Sequence, residues 1–177
     1  MTQTFDLSPL GSTGNWSFVA LLVGFIGLGI YIYCKALPQT SKVVIAAVLL
    51  PMIGAFSWML YSVNDAKLII TADSVTVDVP FYGFTLPIED IAKLEIRKLG
   101  WQHGTDLTLK PDLRVNGVGM PGFQLGWFRL ADQQKAFVAI TEIETVVMIP
   151  TLRGYPILLS IEQPDALLSQ LGISAIK

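Results

Sequence analysis

Few residues in this chain are of types that do chemistry, and their spacing decides what each can do. The run Gly117-Val118-Gly119-Met120-Pro121-Gly122 fits GxGxxG. Such a loop cradles a pyrophosphate only when a strand precedes it and a helix follows, so that free amides and the helix dipole meet the phosphates. Pro121 removes one amide, and Phe123 onward alternates as a strand does. The run therefore reads as a tight or bulged turn between strands. His103 is the only histidine and Cys34 the only cysteine. One imidazole without clustered cysteines or further histidines falls short of a zinc ligand set, so no metal is expected. His103 lies in the loop Gly100–Thr105 and reads as a solvated side chain. Cys34 ends an apolar run and reads as packing.

Two pairs of carboxylates are close in sequence, Glu89-Asp90 and Glu142/Glu144. Neighbours on a strand point to opposite faces, so Glu89 and Asp90 would not cooperate if extended. Glu142 and Glu144 flank a turn. No catalytic residue and no cofactor is expected from these patterns. The densest basic group is Lys93, Arg97 and Lys98, with Trp101 just beyond. On a strand, Lys93 and Arg97 would share a face about 13 Å apart. Such a face is either solvated and ion-paired, or is drawn to anionic headgroups at roughly 1 kcal/mol per charge. Lys93, Arg97, Lys98 and Trp101 are thus the candidate headgroup or partner contact, with Trp101 expected in the headgroup layer.

These residues are positioned by two apolar runs at the start of the chain. Residues 16–34 and 43–63 contain no charge and are each long enough to cross a bilayer as a helix. Aromatic residues stand near their ends, as at a membrane interface. Ala20, Gly24 and Gly27 on the first run, and Ala47, Pro51 and Ala55 on the second, make small-residue faces expected to pack together. A short loop, 35–42, joins them as an antiparallel hairpin. Residues 1–15 are polar and read as a flexible tail with no basic signal region.

The chain has 177 residues, a net charge of −2 and a mean hydropathy of +0.56, high for a soluble protein. The stretch 64–177 is enough for one compact core and carries more Asp and Glu than Lys and Arg. It offers no basic stripe for nucleic acid. Strand patterns recur through it. Val75, Val77 and Val79 alternate with polar residues, and Ile91–Lys98 alternates again. Strands are also expected at 67–71, 84–88, 123–130, 135–141, 145–150 and 155–161, with a weak one at 107–109. A long Gly/Pro-rich connection is expected at 112–122. A short helix is expected at 164–171, opened by Pro164, stopped by Gly172, with Leu167, Leu168 and Leu171 turned to the core. Almost no linker follows Val63, so the domain must lie against the membrane surface.

That order, with the run Arg114–Phe128, resembles the bacterial pleckstrin-homology-like domain family. The matching residues are Arg114, Asn116, Gly117, Gly119, Pro121, Gly122, Gly126, Trp127 and Phe128. The resemblance covers roughly residues 67–171, and family members often follow membrane spans. It implies a mainly-β PH-like barrel of about seven strands with a C-terminal capping helix, after two transmembrane helices. It also gives the motif residues a structural role. Eukaryotic PH domains bind phosphoinositides through a basic cluster in the first strand–strand loop. Here that loop, Thr71–Ser74, carries Asp73 and no Lys or Arg, so this binding does not carry over.

The expected function is a non-catalytic interaction module docking a protein partner at the membrane surface. Its alternatives are anionic lipid headgroup binding and, from a different class, an enzyme or a subunit of an envelope enzyme complex. Lys35 and Lys42 in the connecting loop outweigh the flanks in positive charge, favouring a cytoplasmic loop. The expected location is the bacterial inner membrane, with the domain extracytoplasmic.

Overall fold

The computed structural model describes residues 2–170 of the chain. Leu171 and Gly172, expected to end the last helix, lie outside the described residues. Two helices dominate the first third: α1, Ser12–Cys34, and α2, Gln39–Val63. At 1.5 Å per residue they are about 35 and 38 Å long, enough to cross a ~30 Å hydrocarbon layer. Most of their apolar side chains face outward, among them Val23, Ile30, Val48 and Leu50. A core helix of a soluble protein would bury them.

The two helices meet along larger residues than expected. Phe18, Leu21, Phe25, Gly29 and Ile32 recur at spacings of three and four on the less exposed face of α1, and Ile45, Leu49, Ile53, Phe56 and Leu60 do so on α2. Phe25 and Phe56 pack with centroids 5.8 Å apart, and Gly29 lies under Leu49. The small faces at Ala20/Gly24/Gly27 and Ala47/Pro51/Ala55 point outward instead. A Cβ at Gly24 or Gly27 would have nothing within 4 Å. The 3–4 spacing of bulky residues, as in coiled coils, sets the seam and corrects the expected small-residue contact.

The remainder is two sheets. The first has four antiparallel strands in sequence order: β1 (Gln3–Asp6), β2 (Lys67–Ile70), β3 (Ser74–Asp78) and β4 (Phe84–Pro87). The second has six: β5 (Arg97–Lys98), β6 (Pro111–Met120), β7 (Phe123–Leu130), β8 (Lys135–Ile140), β9 (Val146–Pro150) and β10 (Pro156–Ser160). Its order is β5-β9-β10-β8-β7-β6, with β10 parallel to β8. The described residues thus hold ten strands where about seven were expected, in two sheets that do not close into a barrel.

Two strands account for much of that difference. β1 lies within the supposed flexible tail. It pairs with β2, Phe5 opposite Leu68, and the bridge Leu7–Ile161 ties it to the end of β10. Ser8 then bonds Thr145 at 2.7 Å, and its amide donates to the Ser160 carbonyl at 2.9 Å. β6 lies in the supposed Gly/Pro-rich connection. Its hydrogen bonds to β7, rather than its composition, hold it extended. In the opposite direction, the alternation at Ile91–Lys98 yields only the two residues of β5, because Lys93–Glu95 forms a 3-10 turn. Leu107–Leu109 is a 3-10 turn as well.

The sheets share a core. Leu68, Val77 and Leu86 of the first face Leu125, Phe137, Ile157 and Leu159 of the second. The second sheet is covered on its other face too, where Phe128, Leu130, Val138 and Leu158 meet Leu99 and Trp101. Burial on both faces explains the unbroken apolar run of β10. The short helix α3, Pro164–Gln170, sets Leu167 and Leu168 into the first core. The same core continues into the helical hairpin. Phe18 of α1 is fully buried against Phe123 at the start of β7, with centroids 5.3 Å apart.

Candidate functional site

The basic group does not form one strand face. Lys93 sits in the 3-10 turn, while Arg97 and Lys98 lie opposite Met148 and Val147 of β9. Arg97 is paired with Asp106 at 2.6 Å. Asp106 also accepts the Gly100 amide through its carboxylate and the Trp101 indole N–H through its carbonyl, at 3.2 and 3.0 Å. This network holds Trp101 in the second core at 5% exposure, so it does not reach a headgroup layer as expected. A buried indole with a satisfied N–H is a packing residue. Lys93, Arg97 and Lys98 are all exposed, with Arg97 partly neutralised by Asp106.

The glycine-rich run spans the end of β6 and its turn into β7. No helix follows it: Phe123 opens β7. Gly122 takes φ 74° in the turn, and Gly126 takes φ 119° opposite Gly117. A tight hairpin, not a phosphate cradle, is what these residues build. Two register shifts, at Pro111/Leu113 and Arg114/Asn116, bulge the outer half of β6. Phe128 is buried, and its ring lies over Gly119 beside the Arg114 chain. Asn116 accepts the Tyr82 hydroxyl at 3.2 Å. Trp127 packs edge-on with Phe137 and Tyr155, under the Lys135 ammonium. The turn residues Pro121 and Gly122 abut the first turns of α1, where the Ser17 hydroxyl donates to the Pro121 carbonyl at 3.0 Å.

The acidic pairs lie in or beside short 3-10 turns. Asp90 accepts Arg153 at 2.7 Å from a short turn, and Glu89 beside it is exposed. Glu142 caps the strand end through its backbone, bonded to Ser160, and Glu144 is exposed. His103 is exposed in its loop. Among the described residues no cluster of His, Cys, Asp and Glu has the arrangement of a metal site.

Two surface features escaped sequence reasoning. One is the outer edge of β6, which pairs with no strand but β7 among the described residues and exposes Leu113 (59%) and Val115 (53%). The other is the β3–β4 turn, where Phe81 stands against Trp58 of α2. The aromatic pair Phe81-Tyr82 between Pro80 and Gly83 was the available signal.

Two facing sheets with a terminal helix, set on a helical hairpin, define a PH-like domain on an apolar stem. Residues 61–173 match the model of the bacterial PH domain family. The chain belongs to that family. No curated protein and no solved structure matches it.

Proposed function

We propose that the chain is a two-pass membrane protein whose PH domain is a non-catalytic module docking a protein partner at the membrane surface. The outer edge of β6 carries this reading. It is ten residues long and terminal in its sheet, with Leu113 and Val115 presented to solvent. An open edge with apolar side chains is what an added strand or extended segment of a partner uses. Charges at Asp112 and Arg114, and Pro111 at its start, restrict indiscriminate pairing along it. Membrane spanning rests on the length, hydropathy and outward apolar faces of α1 and α2.

Because β1 pairs with β2, both helix ends that meet the domain lie on one side, and the loop bearing Lys35 and Lys42 lies at the other. Those lysines sit over Tyr31 and Tyr33 at 4.9 and 5.3 Å. The loop is then cytoplasmic and the domain extracytoplasmic, in the bacterial inner membrane. Anionic headgroup binding through Lys93, Arg97 and Lys98 is the weaker reading, since Arg97 already has a carboxylate and Trp101 is buried.

A photo-crosslinking residue placed in the full chain in membranes tests the docking. At Leu113 it should give a discrete adduct, absent from an exposed control at Leu152 and lost in Val115→Pro. Adducts equally strong at the control would remove the reading. Liposome pelleting of the domain that depends on anionic lipid and low salt would favour the headgroup alternative.

A further inference from the structure

Two turns of the domain are free of charge well to either side. Residues 79–88, around the β3–β4 turn, and residues 115–128, around the β6–β7 turn, hold no Asp, Glu, Lys or Arg. Phe81 at the first is 66% exposed, and Pro121 and Gly122 at the second are exposed as well. Both turns come down onto the apolar stem. Phe81 meets Trp58 of α2 edge-on, with centroids 4.9 Å apart. Pro121 meets α1, where its carbonyl accepts the Ser17 hydroxyl at 3.0 Å. The core follows them down, taking in Phe18 of α1 and packing against Phe56 of α2.

Helix length sets how deep these contacts lie. At the far loop the Lys42 ammonium donates to the Tyr33 carbonyl at 2.8 Å, and Lys35 folds back over the Tyr31 ring. Charges turned back in this way bring the far headgroup layer to the level of Tyr33 and Val43. A hydrocarbon layer of about 30 Å takes up about 20 helical residues, which runs from there to Thr13 on α1 and Val63 on α2. Ser17 and Trp58 stand only about 24 and 22 Å from that far level, roughly 6–8 Å short of the near boundary. Any tilt of the helices sinks them further. The first charge after α2, Asp65 with its partner Lys67, comes just past this boundary.

Thinning of the bilayer absorbs part of such a mismatch at a small cost. The turns are suited to take up the rest. Backbone that enters lipid needs its polar groups satisfied. Pro121 has no N–H and its carbonyl is held by Ser17, while the Pro80 carbonyl accepts the Tyr82 amide at 2.8 Å. We propose that the β3–β4 and β6–β7 turns are set into the near leaflet of the same bilayer, at the boundary of headgroups and acyl chains, with Phe81 and Pro121 against lipid. The inference rests on α1 and α2 spanning that bilayer. Because the two turns belong to different sheets, lipid holds the domain at two points, and its face toward the membrane is fixed.

Spin labels on single cysteines test the depth. The full chain carries Cys34→Ser and is reconstituted in vesicles of phosphatidylcholine and phosphatidylglycerol. Oxygen concentrates in hydrocarbon and a nickel chelate stays in water, so the ratio of their effects on the label reports lipid. Leu152 is the aqueous reference. It is 71% exposed, close to Phe81, and its amide bonds Asp90, beyond the end of β4 away from the Phe81 turn. Val48, exposed midway along α2, is the lipid reference. Labels at Phe81→Cys and Pro121→Cys should give an oxygen-to-nickel ratio several-fold above that at Leu152→Cys, approaching that at Val48→Cys. A ratio at either turn equal to that at Leu152, with Val48 still lipid-like, would overturn the proposal alone. A water-like ratio at Val48 would sink the spanning reading and the proposal with it.

Discussion

Gly117 and Gly126 face each other across β6 and β7, and neither has room for a side chain. A Cβ on Gly126 would stand 2.7 Å from the Gly117 Cα and closer still to the Asn116 carbonyl. A Cβ on Gly117 would run into the Leu125 carbonyl. Gly126 also holds φ 119°, open to glycine and strained for any other residue. Gly126→Ala should therefore cost on the order of 1–3 kcal/mol from strain alone. A thermal melt of the full chain in detergent checks it, and an unchanged midpoint would refute the crowding.

Leu167 is fully buried in the core shared by the two sheets. Leu167→Ala should destabilise the domain by about 2–5 kcal/mol, read in a denaturant titration. A midpoint equal to that of the parent would mean that α3 is not part of the cooperative unit.

Phe5 lies outside the residues that match the family model, yet it is buried opposite Leu68. Phe5→Ala should cost about 3–5 kcal/mol, as for a core phenylalanine. A surface-like effect, below about 0.5 kcal/mol, would return the N-terminal segment to the status of a tail.

The seam between α1 and α2 runs through Gly29 and Leu49, with the Gly29 Cβ position 3.9 Å from the leucine methyl. Cysteines at Gly29 and Leu49 should crosslink within one chain in membranes. A pair at Gly24 and Pro51 should not. The reverse pattern would restore the small-residue packing.

The proposed topology places the domain outside, on the strength of Lys35 and Lys42 in the far loop. Alkaline phosphatase fused after Lys177 should be active, and GFP fused there should be dark. Bright GFP fluorescence would invert the topology.

Much of the fold was legible because burial repeats with the period of each element. Val75 and Val77 alternate with exposed or half-buried neighbours and make β3 as read. The two uncharged runs became α1 and α2. β1 was not legible, because Gln3–Asp6 has one apolar residue and owes its form to β2, about 60 residues on. β6 was hidden by its glycines, whose role is the close approach to β7. Lys93–Glu95 misled in the other direction: its alternation of charge had no pairing strand behind it. At the candidate site, charge was readable from the sequence but availability was not. Asp106, placed by a left-handed turn at φ 55°, occupies Arg97 and fastens Trp101.

The pairing of β1 with β2 also sets a timetable. β1 is made first, but its partner is made only after both long helices. Until α2 is complete, Phe5 has no Leu68 to cover it and the first sheet lacks its starting edge. With the helices in a bilayer, β1 must already be on the domain side when β2 emerges, so insertion of the stem precedes closure of the fold. A chain in which only one of the two helices crosses leaves β1 and β2 on opposite faces of the membrane. Its domain is then one strand short, so closure of the fold requires that both helices have crossed.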